Sequence, residues 1–403
     1  MFTMCTIVAK NYLAFARTLV QSFLNHHPTG KAYVLLADES EGFLNTHEET
    51  FEWVHLKDIG LPEWPIMRFQ YNITEFSTAV KPFFLDYLLR VRGLESIVYF
   101  DPDILITHRM DDFYRKLPQF GIVLTPHILT PLPDDHKKPE EVDLLQSGVY
   151  NLGFIALSRK DETMRMLQWW KERLLHHCIM EPSKGYHVDQ RWMDMAPALF
   201  EGVHIHKDPT YNVAYWNLHE RPVVNRNGLY EINGKPLTFY HFSGLVADLS
   251  KVSQHQTRFE WAHMPDLLGL FREYVRKLLL NGYAETAHWR YAYNYFDNGV
   301  AIPAFARIVY RKHGALQVFG NPFLTLTSIG FYQWLFSPTN VQAPIPQLLR
   351  EVYETRVDLQ RTFPYVEGAD RINLMKWSKD FVPLEYGVDP IVWNPVLDSM
   401  YYR

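Results

Sequence analysis

The stretch YFDPDIL carries two carboxylates, Asp101 and Asp103, on either side of Pro102 and directly after the apolar run SIVYF. Residues two apart in extended backbone project toward the same side, and a proline ends a strand ladder, so both carboxylates can face one cation at a strand end. In α/β sheets the loop beyond a strand's carboxyl end is a common ligand site. A divalent cation held there can bridge the carboxylates to the oxygens of a nucleoside diphosphate and stabilise the charge on the departing diphosphate. The spacing alone also fits an acidic turn beside a buried strand.

The chain that must position this pair has 403 residues, 47% hydrophobic and 21% charged, enough for a large core and two domains. A peptide hormone or small binding module is excluded. With 40 Lys and Arg against 45 Asp and Glu, the formal charge of -5 offers no general basic field, so no nucleic-acid partner is expected. Cys5 and Cys178 form neither a disulfide scaffold nor a metal-ligand spacing and read as reduced cytoplasmic thiols. Lys10 and Arg17 interrupt the apolar start, which reads as a strand and helix rather than a signal peptide. No run approaches the roughly 20 apolar residues of a transmembrane helix. The 11 Trp, 24 Tyr and 26 Phe suit a core, a sugar-stacking surface or a membrane-facing patch equally well.

Along the chain, MFTMCTIVA, AYVLLAD, SIVYF, GIVLTP and YNLGFIALS read as buried strands. YLAFARTLVQSFLNHH, FSTAVKPFFLDYLLRVRG and KDETMRMLQWWKERLLHH read as helices between them, with Pro82 at a helix start or kink. VDQRWMDMAPALF is expected as a short helix, and GVHIH and PLTFYHF as later strands. This alternation predicts an α/β fold with a mixed, mostly parallel sheet. From about 250 the patterns turn mainly helical, in MPDLLGLFREYVRKLLLNGYAETAHW, FARIVYRKHG, FYQWLFS and PQLLREVYETR, which puts a domain boundary there. MKWSKDFVPLEYGVDP is expected to cap the end.

In their order, TIVAKNYLAFARTLVQSF, STAVKPFFLDYLL, the strand with its DPD, YNLGF, VDQRWMD, YNV and YHFSG resemble the retaining, metal-dependent nucleotide-sugar glycosyltransferases of the A-type fold. That family includes bacterial galactosyltransferases of lipopolysaccharide synthesis and glycogenin. The resemblance covers roughly the first 245 residues. It implies a Rossmann-like nucleotide-sugar-binding catalytic domain over 1–250. The helical extension over 251–403 would then recognise an acceptor or mediate assembly.

The resemblance implies that Asp101, Asp103 and His241 hold a divalent cation, manganese in preference to magnesium because one ligand is an imidazole. It implies donor contacts at Thr6, Ile7, Ala9, Asn11, Tyr12 and Asp38 for the base and ribose, and at Lys81 for the diphosphate or sugar. Asn151, Gly153, Asn212 and Gly244 complete the set, with a UDP-sugar as the expected donor. Asp189 would orient the donor sugar, and Gln190 would lie beside its reacting anomeric face. Each has a plainer alternative: a structural histidine at 241, a solvated helix-face lysine at 81, turn residues at 38 and 151, and a helix cap at 189. The chain departs from the pattern after HFSG, where LVADLS replaces a Lys-Pro-Trp ending, and Lys251 is not a motif match.

Tyr211, Trp216, Asn217 and His219 in TYNVAYWNLHE suit an acceptor pocket of stacking faces and amides, although Trp216 fits a core anchor as well. In WRYAYNYFDNGVAIPAFARIVYRKHG, the cations Arg290, Arg307, Arg311 and Lys312 suit a lipid-linked phosphate or peripheral contact with a membrane, against the alternative of a helical core with a basic rim. The function so implied is transfer of a hexose or related sugar to a saccharide or lipid-linked acceptor. It would take place in the cytoplasm or at the inner face of the cytoplasmic membrane. A sugar-nucleotide nucleotidyltransferase would favour a glycine-rich N-terminal phosphate loop, which is missing. A noncatalytic carbohydrate-binding protein would need the aromatics but not the DPD, DQ and HFSG set.

Overall fold

The computed structural model describes residues 2–40, 49–62, 64–313, 319–327 and 330–401. They form two compact units, one of residues up to Leu61 together with Thr74–Tyr291, the other of Pro62–Ile73 together with residues from Ala292 on.

The first unit contains β1 (Thr3–Val8), β2 (Lys31–Leu36), β3 (Glu52–His55), β4 (Ser96–Phe100), β5 (Ile104–Ile106), β6 (Ile122–Pro126) and β7 (Tyr150–Ser158). A short hairpin, β8 (Met180–Glu181) and β9 (Tyr186–His187), precedes β10 (Val203–Ile205). The main sheet has seven strands in the order β10-β6-β7-β4-β1-β2-β3. Its pairs are parallel except at β7, which runs antiparallel to both β4 and β6. This is the mixed, mostly parallel α/β sheet expected from the sequence, and the chain that follows it is mostly helical.

Both faces are covered, which is why the strands read as continuous apolar runs rather than alternating ones. The helix Leu13–His26 packs Leu19, Val20 and Phe23 with Met4, Val34 and Val98 on one face. On the other face, the helix Lys81–Arg90 brings the Lys81 ammonium over the ring of Tyr99, which alternates with Val98 along β4. The expected helix FSTAVKPFFLDYLLRVRG is two helices, Ile73–Ala79 and Lys81–Arg90, with Pro82 in the first turn of the second.

After β10 an antiparallel ribbon forms from β11 (Val223–Arg226), β12 (Leu229–Ile232) and β13 (Lys235–Pro236). Its two turns are Asn227-Gly228 and Asn233-Gly234, all four residues with positive φ, the geometry that suits tight hairpins. The last strand, β14 (Phe239–His241), pairs antiparallel with β5 and sets His241 opposite Ile104.

The first unit extends to Tyr291, past the boundary expected near 250. Apolar residues of the helix Pro265–Leu280 cover the strand that carries His241, with Tyr274 stacked 3.7 Å from Phe242 and Phe271 beside Tyr240. The second unit takes in the short segment Pro62–Ile73 because Phe69 inserts between Tyr310 and Phe331. Its core joins the helices Ala304–Lys312, Gln347–Thr355, Arg371–Tyr386 and Pro390–Tyr401 through residues such as Tyr310, Leu348, Leu374 and Trp393. The expected terminal cap is part of that core, since Met375 and Val382 are fully buried.

The cations Arg307, Arg311 and Lys312 all have partners within the helical unit, Arg307 as part of its core. Arg307 is buried and donates to the carbonyls of Phe69, Tyr71 and Tyr293 and to Asn294 Oδ1. Arg311 donates to the Gln70 carbonyl, and Lys312 is paired with Glu351 and Glu354. Arg290 lies in the first unit, and Gly314 falls outside the described residues. Arg307→Met keeps much of the side-chain volume but leaves these carbonyls without a donor. It is expected to destabilise the helical unit by about 2–3 kcal/mol, readable as an earlier denaturant midpoint. No helix among the described residues is long and apolar enough to cross a membrane.

Candidate active site

Parallel β1 and β4 end at the same sheet edge, and antiparallel β7 starts there, so the end of β4 meets the beginning of β7. Asp101 donates its backbone N–H to the Gly153 carbonyl across this junction. The β5–β14 pairing then carries His241 to the acidic pair, with Nε2 3.1 Å from Asp103 Oδ1 and 3.9 Å from Asp101 Oδ2. One ligand atom from each of the three residues lies within 4.8 Å of the others, a cluster that can hold a metal ion. His241 is buried, whereas both aspartates are partly open to solvent.

Burial works against a charged His241, but Asp103 and then Asp101 outweigh it and raise its pKa. The mixed imidazole and carboxylate set fits a divalent cation.

Lys81 is not a solvated helix-face residue. It is fully buried, with Nζ 2.7 Å from Asp189 Oδ2, 3.0 Å from the Leu152 carbonyl and 3.9 Å from Asp101 Oδ1. Burial disfavours its charge, but Asp189 and Asp101 more than compensate and its pKa is raised. Asp189 is accordingly a buried ion-pair partner rather than a helix cap. Asp101 Oδ1 also accepts a 2.7 Å hydrogen bond from the Tyr99 hydroxyl, an anchor hidden in the sequence inside an apolar strand.

A cleft of about 560 Å³ opens over these groups. Lys81, Asp101, Asp103, Asn151, Gly153, Asp189, Gln190 and His241 all line it. Gln190 Oε1 accepts from the Leu152 N–H and Asn151 Nδ2, and its Nε2 donates to the Ser147 carbonyl. One Gln190 N–H is left over, so its amide offers a ligand a donor. Asn151 has nothing left over. Its Nδ2 donates to Gln190 Oε1 and His127 Nε2, and its Oδ1 accepts from Gly153 N and Asn212 Nδ2. Its expected contact with sugar hydroxyls is therefore not available in this arrangement.

Gly153 is needed for close approach. A Cβ there would sit 2.3 Å from His241 Cε1. Trp216 lines the cleft and meets the His241 ring edge-on at 5.3 Å.

The remaining expected residues do not join the cleft lining. Thr6, Ile7 and Ala9 are buried at the end of β1, and Asp38 is buried beside Lys10, 3.5 Å from its ammonium. Asn11 lies between Ala9 and Tyr12 just past β1. Tyr12 stacks on Phe15 with part of its surface open to solvent, and the packing around its hydroxyl, then Asp103, push its pKa up to about 12. Asn212 is fully buried at a positive φ of 52°, which turns it inward beneath the cleft. Gly244, also at positive φ, packs against Ser253 and His255, the latter a cleft-lining residue. Tyr211 and Asn217 are core residues, Asn217 holding the carbonyls of His127 and Asn212, and His219 bonds to Thr130.

His127, just beyond β6, carried no sequence signal. It is buried, its Nδ1 facing the Val149 carbonyl at 3.2 Å and its Nε2 facing Asn151 Nδ2 at 3.3 Å. A carbonyl only accepts and an amide N–H only donates, so the ring is neutral with its proton on Nδ1. Burial lowers its pKa to about 4, and burial also takes His27 and His206 to about 4. With folded values below the ordinary 6.5, the unfolded chain binds more protons between pH 6.5 and 4. Stability is therefore expected to fall as pH drops through that window and to level off below it. For His127 the span corresponds to about 3 kcal/mol. Denaturant midpoints at pH 7 and pH 4.5 check this, and His127→Gln should flatten the slope.

No family model matches the chain. The uncharacterized protein YfnF of Bacillus subtilis (strain 168) is 28% identical over 269 residues, spanning 63% of this chain and 85% of its own length. YfnD of the same organism is 24% identical over 284 residues, 67% of this chain and 89% of its own. Among solved structures, the galactosyltransferase LgtC in complex with donor and acceptor sugar analogs aligns over 69% of this chain and 96% of its own, at 13% identity and a TM-score of 0.41. The glycosyltransferase GlyE of Streptococcus pneumoniae TIGR4 aligns over 73% of this chain and 66% of its own, at 14% identity and a TM-score of 0.41. Likeness at that level fixes neither substrate nor chemistry.

Proposed function

We propose that the chain is a glycosyltransferase of the A-type fold that moves a hexose or related sugar from a nucleoside-diphosphate sugar, a UDP-sugar in the first instance, to a saccharide or lipid-linked hydroxyl with retention. The observation that carries this reading is the convergence of Asp101, Asp103, His241, Lys81, Asp189 and Gln190, drawn from distant stretches of chain, on one cleft at the sheet edge.

In this reading Asp101, Asp103 and His241 hold a divalent cation, manganese before magnesium. Such a cation, when bound, supplies positive charge between the carboxylates and a diphosphate leaving group. Lys81 holds Asp189 and backs Asp101, so that both carboxylates keep their orientation. Asp189 faces the sugar hydroxyls, and the spare N–H of Gln190 meets an oxygen of the donor near its anomeric carbon. The acceptor hydroxyl approaches on the face the diphosphate leaves, which accounts for retention without an enzyme nucleophile. The base and ribose lie toward the end of β1, near Ala9, Asn11, Tyr12 and Asp38. The helical unit serves acceptor recognition or assembly, and the enzyme works in the cytoplasm, at the membrane's inner face when the acceptor is lipid-linked.

The test presents manganese-loaded protein with a panel of nucleotide sugars and follows donor consumption and nucleoside-diphosphate release. Release of a nucleoside diphosphate from one donor is expected. Formation of nucleoside triphosphate from donor and pyrophosphate would move the assignment to a nucleotidyltransferase, and failure to bind any donor would leave a noncatalytic carbohydrate-binding protein.

A further inference from the structure

Asn212 never reaches the cleft, yet every atom of its amide is placed. Its Nδ2 donates to Asn151 Oδ1 at 3.0 Å and to Thr125 Oγ1 at 2.9 Å, and its Oδ1 lies 3.3 Å from His241 Nδ1. Side-chain amides can be turned end for end, but here fixed backbone groups decide. The Gly153 N–H can only donate, so the oxygen of Asn151 must face it. That orientation is locked from the other end. Asn151 Nδ2 meets Gln190 Oε1, which the Leu152 N–H and the Ser147 carbonyl hold in place, and His127 Nε2, whose ring the Val149 carbonyl orients. With the Asn151 oxygen so fixed, Asn212 must turn its nitrogen toward it and its oxygen toward His241. An oxygen accepts, so His241 Nδ1 carries a proton and Nε2 is the nitrogen turned toward Asp101 and Asp103: protonated it donates to Asp103, and once deprotonated it is the nitrogen that can take a cation.

We infer that Asn212 and Asn151 are positioning residues that hold His241 in the Nδ1–H tautomer and so present Nε2 as a metal ligand. The inference rests on the cation-site reading proposed above. It reassigns both asparagines from contacts with the donor to a relay that runs from the Gly153 backbone to the cation. Partners of this kind behind a ligating histidine typically contribute 10–100-fold in metal affinity.

Two measurements test it. The nitrogen chemical shifts of ¹⁵N-histidine-labelled wild-type protein, with His241 identified by its loss in His241→Gln, report the tautomer without metal and without perturbing the relay. At a pH where the ring is neutral, a protonated Nδ1 is expected, and a protonated Nε2 would overturn the inference. Manganese titration followed by electron paramagnetic resonance is the second. Asn212→Ala should bind manganese about 10–100-fold more weakly than wild type. Asn212→Asp tolerates the positive φ and keeps an acceptor for Nδ1–H, so it should recover much of that loss. Wild-type affinity in Asn212→Ala would defeat the relay while leaving the cation site standing. Absence of manganese binding to the wild type would instead defeat the cation site, and the tautomer measurement would still decide the relay.

Discussion

Asp103→Ala is expected to lose manganese binding by more than about 100-fold and donor turnover by about 10³-fold or more, while staying within about 1 kcal/mol of wild-type stability in cation-free buffer. Removing a group behind a metal ligand already costs 10–100-fold in affinity, so deleting a ligand costs more. Asp103 is partly exposed, which keeps small the stability carried by its pairing with His241 Nε2. Asp101→Ala should match it in cation binding and turnover but differ in stability. Asp101 accepts from the buried Tyr99 hydroxyl and lies 3.9 Å from Lys81, so its loss strands a buried donor at about 1–3 kcal/mol. Calorimetric titration with manganese and thermal melts with and without the cation separate the two effects. Undiminished turnover in both variants would remove the cation site from the mechanism.

The second large effect is expected from one methyl group. In Gly153→Ala the new carbon would lie 2.3 Å from His241 Cε1, 2.7 Å from His241 Nδ1 and 2.8 Å from Asn151 Oδ1. None of these atoms ends a flexible chain. The imidazole is buried against Trp216 and tied to Asn212, and Asn151 is bonded at every amide position. Either β7 separates from β4 or His241 leaves the acidic pair. We expect destabilisation of about 3 kcal/mol and a loss of manganese affinity as large as that of His241→Ala. A Gly153→Ala protein that binds manganese normally would show that the ring approaches the glycine less closely than described.

The sheet was legible because its strands are buried on both faces. TMCTIV, SIVYF and YNLGFIALS are mostly apolar and buried almost end to end, and polar or turn residues bound them. The ribbon β11–β13 went unread although its Asn-Gly pairs are strong hairpin signals, because its strands are at most four residues long, largely half-exposed and interrupted by Asn, Arg, Glu and Lys, so that they resemble a loop. The boundary near 250 followed a change of pattern from strand to helix. Contacts such as Phe242 with Tyr274, which keep the next helix in the first unit, leave no mark on local periodicity.

The site divides in the same way. Two close carboxylates announce themselves in sequence, and the order of motifs pointed to His241, Lys81, Asp189 and Gln190, all of which line the cleft. What stayed hidden was the hydrogen-bond bookkeeping. Asn151 and Asn212 look like ligand contacts until every partner is counted, and His127 and Tyr99 look like ordinary residues of buried strands. Arg307 shows the converse. A cation in an aromatic helical stretch invites an anionic partner, but this one is buried and donates from both Nη atoms to carbonyls of its own unit.

The pairing of β5 with β14 also sets an order of events. Asp101 and Asp103 come from the first half of the unit and His241 from near its end, and the cluster has no existence until those two short strands meet. During synthesis the sheet from β1 to β7 can assemble while the last ligand is still to be made, so the binding centre is among the final features to form. A contact so distant along the chain is closed late because its loop entropy is lost before any attraction is gained. A cation that binds only the closed arrangement would then act as a latch on the finished fold, holding shut a junction whose opening would undo the centre.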